Sequence, residues 1–492
     1  MKTAAQHIES LKDGRRVYID GARVEDVTTH PAFRNAARSV ASLYDMNAAD
    51  SERMTFRSPT SGKPVSRCWQ LPVSYAELLQ RRHALAGWAE GTNGMMGRSP
   101  DHVASSLAGM VMGIDVFRKH DPKRAAALEN YYAYARDNDL YLSYVIINPQ
   151  ADRSKSAGEQ PDEYLTAGIC DEDSTGITIK GAKMLGTGAV LSNEIMISGF
   201  QALQQGDEKY AFLACIPVNA KGVTLLSRKS YEASAVSAFD NPLASRFDEN
   251  DAVAYFDEVK IPWDRVFFHR DIAMGQAQWH ATRAHIMQNY QCQIRLAVKL
   301  RFLAGIARKI AETNGIINFP QVREMLGLLA AKAVLIDGLV AGMESKGERY
   351  SGYYVPDRLM LCAAQVESQT LYPQVIELLR QLAGGGLIMT PSSAVDFANP
   401  EMAALIEKTQ RSPVLPPRDR VKLFKLAWDA IGSEFGSRHL QYEMFYSGAT
   451  YVARGHSYRY YDWDAAKTMV EDFMRSYETP AAGPGRKKSA AE

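Results

Sequence analysis

The hydrophobic period of this chain changes twice along its length, and no other feature constrains its fold as strongly. Up to residue 139, Ala, Leu and Met recur three and four positions apart, as amphipathic helices require. Near Tyr141 the pattern becomes short runs of Val, Ile, Tyr and Phe between turn residues. From Trp279 the helical spacing returns in long segments. We therefore predict an N-terminal helical domain at 1–139, a middle β domain at 140–272 and a C-terminal helical bundle at 273–475.

The middle region contains six runs with the composition of strands and no long helix between them, at 141–148, 177–185, 194–199, 210–218, 223–226 and 252–261. This order favours an antiparallel barrel or sandwich over a doubly wound sheet. The last region predicts four long helices, at 291–313, 321–344, 356–382 and 417–446, which indicates a four-helix bundle. Because such long helices bury poorly in a monomer, we expect a subunit interface. The tail at 476–492 has the Pro, Gly, Ala and Lys content of disordered chain.

The charge balance and the cysteines exclude several classes of function. Lys and Arg number 57 against 56 Asp and Glu, so nothing indicates binding to nucleic acid or to an anionic membrane. The five cysteines are scattered without a CxxC pair, which indicates neither a disulfide framework nor a zinc site. The first residues lack the apolar core of a signal peptide, and no stretch of about 18 uncharged apolar residues occurs. We expect a cytoplasmic protein that binds small molecules and other protein chains.

The most informative local motif is Gly97-Arg98-Ser99-Pro100-Asp101-His102. Arg98 precedes a Ser-Pro-Asp helix start, and His102 follows one turn later. A fixed cation beside a titratable ring near a helix N-terminus suits an anionic or polarised oxygen. The alternative interpretation, a surface arginine at a helix cap, is favoured on these residues alone.

Three further motifs leave alternatives open. Gly186-Thr187-Gly188 lacks the third glycine of a dinucleotide fingerprint and no P-loop sequence occurs, so neither a Rossmann nor a P-loop enzyme is expected. Gly384-Gly385-Gly386 fits equally a helix C-cap and a close backbone approach to a cofactor. His285 and Cys292 are seven residues apart on one helical face, where they either pack in the core or ligate a cofactor.

Longer blocks of the sequence carry a family resemblance. They are Val27-Thr28-Thr29-His30-Pro31-Ala32-Phe33-Arg34-Asn35-Ala36, Met96-Gly97-Arg98-Ser99-Pro100-Asp101, Asn148-Pro149 with Asp152-Arg153, Ser245-Arg246-Phe247-Asp248-Glu249-Asn250-Asp251, Arg295-Leu296-Ala297-Val298-Lys299-Leu300 and Trp428-Asp429-Ala430-Ile431-Gly432-Ser433-Glu434-Phe435-Gly436. Together they resemble the oxygenase component of the 4-hydroxyphenylacetate 3-hydroxylase family. The blocks run from residue 27 to about 450, so the resemblance covers nearly the whole chain.

The resemblance implies an α+β fold of the acyl-CoA-dehydrogenase type, assembled as a homotetramer. It also implies a flavin-dependent aromatic monooxygenase that takes reduced FAD from a separate NAD(P)H:flavin reductase. In this family the reduced flavin reacts with O2 to a flavin C4a-hydroperoxide, and a hydroxyl group is added ortho to the existing hydroxyl of a phenol. Such a protein has to exclude water and to polarise the substrate hydroxyl.

By the same resemblance, Arg98 contacts the substrate oxygen and stabilises the developing phenolate. Its two partners are exchanged, because His102 stands where the family usually has tyrosine and Tyr144 where it usually has histidine. We hypothesise that the hydrogen-bonding pair is kept with its members swapped, since either ring can donate to an oxygen. Gly199 and Phe200 replace small polar residues at the substrate carboxylate, so we expect weaker recognition of a free acetate group.

The resemblance implies an FAD site and no metal ligands. The residues that match family positions at the cofactor are Asn148, Gln150, Ala151, Asp152, Arg153, Thr187, Gly385, Tyr446 and Gly448. Arg153 suits a pyrophosphate, and Thr187 matches a threonine near the flavin ring.

Several alternative functions stay open at this point. The same chemistry could act on an aniline or on a larger or tethered tyrosine-derived intermediate. A dehydratase of the 4-hydroxybutyryl-CoA type would need an iron–sulfur cluster, and His285 with Cys292 supplies only part of the three or four protein ligands. A flavin-binding scaffold without activity is the non-enzymatic alternative.

Overall fold

The computed structural model describes residues 1–149 and 151–477, so Gln150 and the predicted disorder beyond residue 477 lie outside the described residues. The N-terminal region is mainly helical. Its elements are α1 Ala4–Ser10, β1 Val17–Ile19, β2 Ala22–Val24, α2 Arg34–Ala49, α3 Ser51–Met54, β3 Thr55–Arg57, β4 Pro64–Ser66, α4 Tyr75–Gly91, α5 Asp101–Met112, α6 Ile114–His120 and α7 Pro122–Asp137.

Local capping explains where the helices of this region begin. Helix α4 starts after Ser74, whose hydroxyl accepts the N–H of Glu77 at 3.2 Å. Helix α7 starts at Pro122, directly after its N-cap residue Asp121. Helix α5 begins at Asp101, at the Ser-Pro-Asp start signal, and every one of its residues is buried. His102 therefore lies in the first turn of an interior helix.

The middle region forms two sheets, as expected for a β domain. Its elements are β5 Leu142–Val145, β6 Gly168–Asp173, β7 Gly176–Thr187, β8 Glu194–Ile197, β9 Phe212–Pro217, β10 Val223–Ser227, α8 Ala244–Phe247, β11 Asp251–Pro262 and β12 Val266–His269. The larger sheet has the strand order β2-β1-β10-β11-β7-β6 and the smaller one β12-β9-β8-β5. Most pairs are antiparallel, but β1 with β10 and β5 with β8 are parallel. Both parallel pairs join strands that are distant in sequence.

The N-terminal region contributes two strands to the larger sheet, so the predicted division at residue 139 does not coincide with a break in the sheet. Strand β1 pairs with β10, with Val17 opposite Leu225, and β2 pairs with β1 as a hairpin. Each of these strands has only three residues, which is too short for an alternating pattern to be recognised.

The C-terminal region is helical, as predicted. Its elements are α9 Ile272–His280, α10 Ala284–Thr313, α11 Pro320–Ser345, β13 Glu348–Tyr350, β14 Tyr353–Val355, α12 Arg358–Ala383, α13 Pro400–Thr409, α14 Pro417–Ile431, α15 Glu434–Phe445, α16 Thr450–Tyr460 and α17 Trp463–Arg475. Helix α10 packs against α4, α5, α11 and α12, so it is the central element of the core.

The prediction of one long helix at 417–446 is wrong, because the chain breaks between α14 and α15. Gly432 ends the first helix, and the hydroxyl of Ser433 accepts the N–H of Gly436 at 3.1 Å to start the second. A serine can either cap the start of a helix or lie within one. At Ser433, tertiary packing selects the cap.

Helix α11 carries an apolar face that the rest of the chain leaves uncovered. Leu328, Val334 and Leu335 are 47%, 69% and 44% exposed. By length and composition this helix is able to cross a bilayer. A helix face that is covered in an assembly of soluble chains has the same composition.

Candidate functional site

Arg98 lies in the loop that enters α5, and buried groups fix its backbone. Its N–H donates to Oε1 of Glu249 at 2.5 Å, and its carbonyl accepts the hydroxyl of Tyr141 at 2.8 Å. Its guanidinium turns inward, where Nη1 contacts Nε2 of His102 and lies 4.0 Å from Sγ of Cys292. Arg98 is half-buried among core residues rather than on the surface at a helix cap.

Two tyrosine rings flank this guanidinium. Its Cζ lies 5.2 Å from the ring centroid of Tyr144 and 5.2 Å from that of Tyr442, which are favourable cation–π distances. A Cβ on Gly97 would lie 2.6 Å from the Tyr442 hydroxyl, so glycine is required for this approach. The rings confine the arginine without neutralising it.

A chain of hydrogen bonds behind His102 fixes its tautomer. Gln291 donates through Nε2 to Oδ1 of Asp101 at 3.1 Å, and Ser99 donates to the same oxygen at 2.6 Å. The side-chain oxygen of Gln291 consequently faces Nδ1 of His102, 3.1 Å away. We therefore assign the ring proton to Nδ1, which leaves the lone pair of Nε2 to accept a hydrogen bond from Arg98.

Tyr144 completes the cluster. Its ring stacks on that of His102 with centroids 5.4 Å apart, and its hydroxyl accepts from Nε2 of Gln288 at 3.3 Å. Gln288 is held in turn by the hydroxyl of Ser106 at 2.6 Å. The two residues that are exchanged relative to the family pattern are thus neighbours in space.

The electrostatics leave the positive charge of Arg98 uncompensated. Burial and the charge of Arg98 hold the pKa of His102 well below its ordinary value. Burial raises the pKa of Tyr144, and it raises the pKa of the Cys292 thiol to about 11. Burial also disfavours the charged form of Arg98, but Tyr144 and the other neighbouring groups outweigh it and raise its pKa. At pH 7 a permanent cation therefore faces three neutral side chains.

The predicted cofactor residues near β5 lie in two settings. Ala151 and Arg153 are exposed in the loop between β5 and β6, where Asp152 caps the turn by accepting the N–H and the hydroxyl of Ser154.

Thr187 ends β7 and donates its hydroxyl to Oδ1 of Asp251 at 2.5 Å. Asn148 accepts hydrogen bonds from Thr166 and Lys183.

The C-terminal cofactor positions adjoin the Arg98 cluster through Tyr442. The rings of Tyr442 and Tyr446 stack with centroids 5.6 Å apart, and the Tyr446 hydroxyl accepts from the amide of Gln293. The carbonyl of Gly448 accepts from Nε2 of Gln369 at 2.8 Å. In the described part of the chain, the side-chain oxygens of Gln293 and Gln369 are buried without a partner.

Gly385 lies elsewhere, in the exposed turn that follows α12. Its neighbour Gly384 has φ +55°, a conformation in which glycine ends a helix at no steric cost. The cap interpretation thus accounts for the glycine triplet, and a cofactor role for Gly385 stays a prediction.

Gly199 and Phe200 follow β8, at the end of the smaller sheet. The carbonyl of Gly199 accepts from the Trp279 indole at 3.0 Å, and Phe200 is 41% exposed. Neither is among the described side chains that contact Arg98.

His285 and Cys292 share helix α10 but belong to different clusters. Cys292 contacts Arg98, whereas the ring of His285 lies 5.0 Å from that of His280 and 5.3 Å from that of His456. Within residues 1–149 and 151–477, no set of three or more His, Cys, Asp or Glu side chains is arranged to hold a metal ion.

Sequence reasoning missed Gln288, Gln291 and Tyr442. The first two had a usable signal, because glutamines recur at 288, 291 and 293 in a helix that should be buried. Buried amides need partners, and such a run predicts a polar network inside a core. Tyr442 had no such signal, since an aromatic stripe at helical spacing is ordinary core composition.

Along nearly its whole length the chain matches oxygenase components of monooxygenases. A profile of the N-terminal part of 4-hydroxyphenylacetate 3-hydroxylase matches residues 3–268, and one of its C-terminal part matches residues 276–475. The chain belongs to the 4-hydroxyphenylacetate 3-hydroxylase family.

Characterised relatives differ in their named substrates. A 4-hydroxyphenylacetate 3-monooxygenase oxygenase component from Geobacillus is 35% identical over 96% of this chain and 96% of its own. A 4-nitrophenol 2-monooxygenase oxygenase component from Rhodococcus is 36% identical over 91% of this chain and 86% of its own. A Streptomyces globisporus monooxygenase, named for a substrate on a peptidyl-carrier protein, is 36% identical over 91% and 85%.

Solved structures agree with the family assignment. The oxygenase component of 4-hydroxyphenylacetate 3-monooxygenase, in complex with FAD and 4-hydroxyphenylacetate, superposes with a TM-score of 0.92 at 32% identity, covering 97% of this chain and 99% of that one. An archaeal 4-hydroxybutyryl-CoA dehydratase superposes with a TM-score of 0.89 at 21% identity over 99% and 98%, which shows a shared fold alone.

Proposed function

We propose that this protein is the oxygenase component of a two-component system that hydroxylates a phenol ortho to its existing hydroxyl group, with FADH2 and O2 as co-substrates. The observation that carries the proposal is the uncompensated charge of Arg98, whose guanidinium contacts the neutral side chains of His102, Tyr144 and Cys292. A half-buried cation without a counter-ion favours the binding of an anionic oxygen next to it. Family membership supplies the reaction class.

The residues of the cluster have distinct roles in this proposal. Arg98 donates to the phenol oxygen and stabilises the phenolate, which makes the ortho carbon electron-rich. His102 accepts an N–H of Arg98 at its Nε2 lone pair, so it orients the guanidinium toward the phenol oxygen. Tyr144 packs on His102 and supplies a hydroxyl to the same oxygen. The roles of tyrosine and histidine are thus exchanged while the pair is kept.

The structure offers groups that fit FAD beside this cluster. The partnerless oxygens of Gln293 and Gln369 can accept N–H groups of an isoalloxazine ring, and the exposed Arg153 can bind a pyrophosphate. Asn148, Asp152, Thr187, Tyr446 and Gly448 would line the same site. Bound reduced FAD supplies the electrons for O2 activation, and the protein's task is to keep water from the reacting groups.

The proposal includes a separate NAD(P)H:flavin reductase, a cytoplasmic location and a homotetramer. The support for assembly is uncovered apolar surface on Leu328, Val334 and Leu335 of α11, and on Met469 and Phe473 of α17, which are 77% and 69% exposed. Patches of this kind mark interaction sites, and copies of this chain are the partner that a bundle face fits. Light scattering after size-exclusion chromatography tests it, and a monomer would contradict it.

Reconstitution tests the activity. The protein is supplied with FAD, NADH and an unrelated flavin reductase, and 4-hydroxyphenylacetate, 4-nitrophenol, anilines and carrier-tethered tyrosine are offered under 18O2. We expect a catechol that carries one 18O atom, and Arg98→Met should release hydrogen peroxide instead. Hydrogen peroxide alone from the parental protein with every substrate would contradict the proposal and favour the scaffold alternative. Stoichiometric iron in the purified protein would favour the dehydratase.

A further inference from the structure

A cleft separate from the Arg98 cluster lies where α2 meets α8 and the loop at 232–238. It has a volume of about 520 Å³, within the range of roughly 300–1000 Å³ that is typical of small-molecule sites. Three arginines line the cleft, and none of the described residues that form it contacts Arg98. The hydroxylation proposed above uses none of these residues.

The three guanidinium groups have no counter-ions. Arg34 and Arg38 are one turn apart on the same face of α2, and Arg246 belongs to α8. The two elements are in direct contact, because the hydroxyl of Ser39 donates to the carbonyl of Arg246 at 2.7 Å. Across residues 1–149 and 151–477, none of the three guanidinium groups has an ion pair or a hydrogen bond. Like charges one turn apart destabilise a helix, so an anion bound between them would relieve a repulsion.

The cleft also contains a hydroxyl group without a partner. Ser245 is 8% exposed, and its N–H donates to the carbonyl of Asn241 at 3.0 Å. Its Oγ, in contrast, is buried and has no hydrogen-bond partner within the described ranges. Buried hydroxyl groups are normally hydrogen-bonded, so this Oγ indicates that a ligand supplies the missing acceptor. Because Ser245 and Arg246 both line the cleft, one ligand can accept hydrogen bonds from both.

The acidic residue of the cleft, Glu232, is bonded to the backbone of α2. Its Oε1 accepts the N–H of Asn35 at 2.8 Å, and its Oε2 accepts the N–H of Ala36 at 2.9 Å. Burial raises the pKa of this carboxyl group to about 7, so near neutral pH it carries about half of a negative charge. The three guanidinium groups therefore give the cleft a net positive charge.

Much of the remaining lining is small and apolar. Pro31, Ala233 and Val236 contribute to it, and Val236 is 68% exposed. A flat heterocyclic ring can cover such a surface, and burial of the exposed apolar groups would favour its binding. An inorganic anion would contact only the polar part of the cleft, whereas an anion attached to a nucleoside would contact both parts.

We propose that this cleft binds a nucleoside diphosphate. The phosphate oxygens accept hydrogen bonds from Arg34, Arg38 and Arg246, since guanidinium groups match the geometry of phosphate oxygens. The Ser245 hydroxyl donates to a further phosphate oxygen, and the base packs on Val236. The inference does not depend on the proposed hydroxylation, because the proposed FAD contacts lie outside the cleft.

Isothermal titration of the FAD-saturated protein tests the inference, with ADP, pyrophosphate and adenosine as the probes. The salt concentration is kept at about 0.15 M, where charges at long range are screened. We expect ADP to bind at least tenfold more tightly than adenosine and at least threefold more tightly than pyrophosphate. Arg38→Met should weaken binding of ADP at least tenfold. Arg23→Met, at an exposed arginine of β2 outside the cleft, is the matched control and should change it less than twofold.

Two further variants test the polar groups at the arginines. Ser245→Ala should weaken binding of ADP about two- to tenfold, as expected for the loss of one hydrogen bond. Glu232→Gln should strengthen it, because the substitution removes a negative charge and keeps an oxygen that accepts an N–H of α2. Weaker binding of ADP by Glu232→Gln, with an unchanged circular dichroism spectrum, would contradict the proposed charge balance.

The outcomes separate this inference from the proposed function. Equal affinities for ADP and adenosine, equal affinities for ADP and pyrophosphate, or equal losses from Arg38→Met and Arg23→Met would each overturn it. Competition between ADP and FAD would also overturn it, because ADP would then occupy the FAD site. A protein that binds ADP through Arg38 but forms no catechol would contradict the proposed function and leave this inference standing.

Discussion

Two buried clusters near α10 each hold an arginine, and they differ in what faces the charge. Arg295 makes a two-point contact with Glu443, with Nη2 and Oε2 2.8 Å apart, and Lys299 shares the same carboxylate at 2.9 Å. Arg98 faces His102, Tyr144 and Cys292, all neutral. Arg295 and Lys299 together hold two positive charges on one negative charge, whereas Arg98 has no carboxylate on its guanidinium in the described structure.

The difference distinguishes a cation that stabilises the fold from the cation that we propose binds the substrate. The charges of Arg295 and Lys299 hold the pKa of Glu443 at about 2, although burial opposes its ionisation. The Glu443 carboxylate therefore stabilises the folded structure through its ion pairs with Arg295 and Lys299. The carboxylate next to Arg98, Glu249, bonds its backbone and pairs with Arg438 at 3.5 Å, so it positions the loop and leaves the guanidinium available. A buried cation without a counter-ion therefore marks the place where a ligand should supply one.

The largest effect is expected from Glu443→Gln. The substitution leaves Arg295 and Lys299 buried without a counter-charge, and breaking a buried pair in this way costs about 3–5 kcal/mol. The free energy of unfolding, from urea denaturation, should fall by that amount. Glu434→Gln, on an exposed residue of the same helix, should change it by less than about 0.5 kcal/mol. Equal effects of the two substitutions would erase the distinction between the clusters.

Arg98→Met should produce the opposite combination. Removing an unpaired charge leaves the free energy of unfolding nearly unchanged, but it removes the donor to the phenolate and should lower kcat/KM about 100- to 1000-fold. Arg118→Met, at an exposed arginine, serves as the control for activity. A strongly destabilised Arg98→Met protein would show that Arg98 is structural after all.

His102→Ala should have an intermediate effect on activity. Loss of a hydrogen bond to a charged group costs about 1.5–3 kcal/mol, which corresponds to a decrease of about 10- to 100-fold in kcat/KM. Gln291→Leu should reproduce part of this decrease. It removes the acceptor that holds the ring proton of His102 on Nδ1, but it leaves the ring in place. Parental rates from His102→Ala would refute the exchanged pair.

The smallest effect concerns acid stability. Burial and neighbouring cations hold the pKa of both His102 and His439 well below the ordinary value. As pH falls below about 6.5, the unfolded chain takes up protons that the folded protein does not, so stability decreases. His439→Gln should reduce the loss between pH 7.5 and 5.5 by about 1.4 kcal/mol. An unchanged pH dependence would mean that His439 is protonated in the fold beside Lys299.

The sequence by itself determined the order of helical and β regions and the family, and it predicted a role for Arg98, because periodicity and long motifs are carried by consecutive residues. It did not determine the break at Gly432 and Ser433, where cap and helix compete locally and packing selects the cap.

Only the tertiary structure decided which cations have counter-ions. Arg98 and His102 are four residues apart in sequence, but Gln291 reaches His102 from 189 residues away. Burial and charge compensation depend on every element that packs around a group. Burial and charge compensation therefore cannot be read from the order of residues alone.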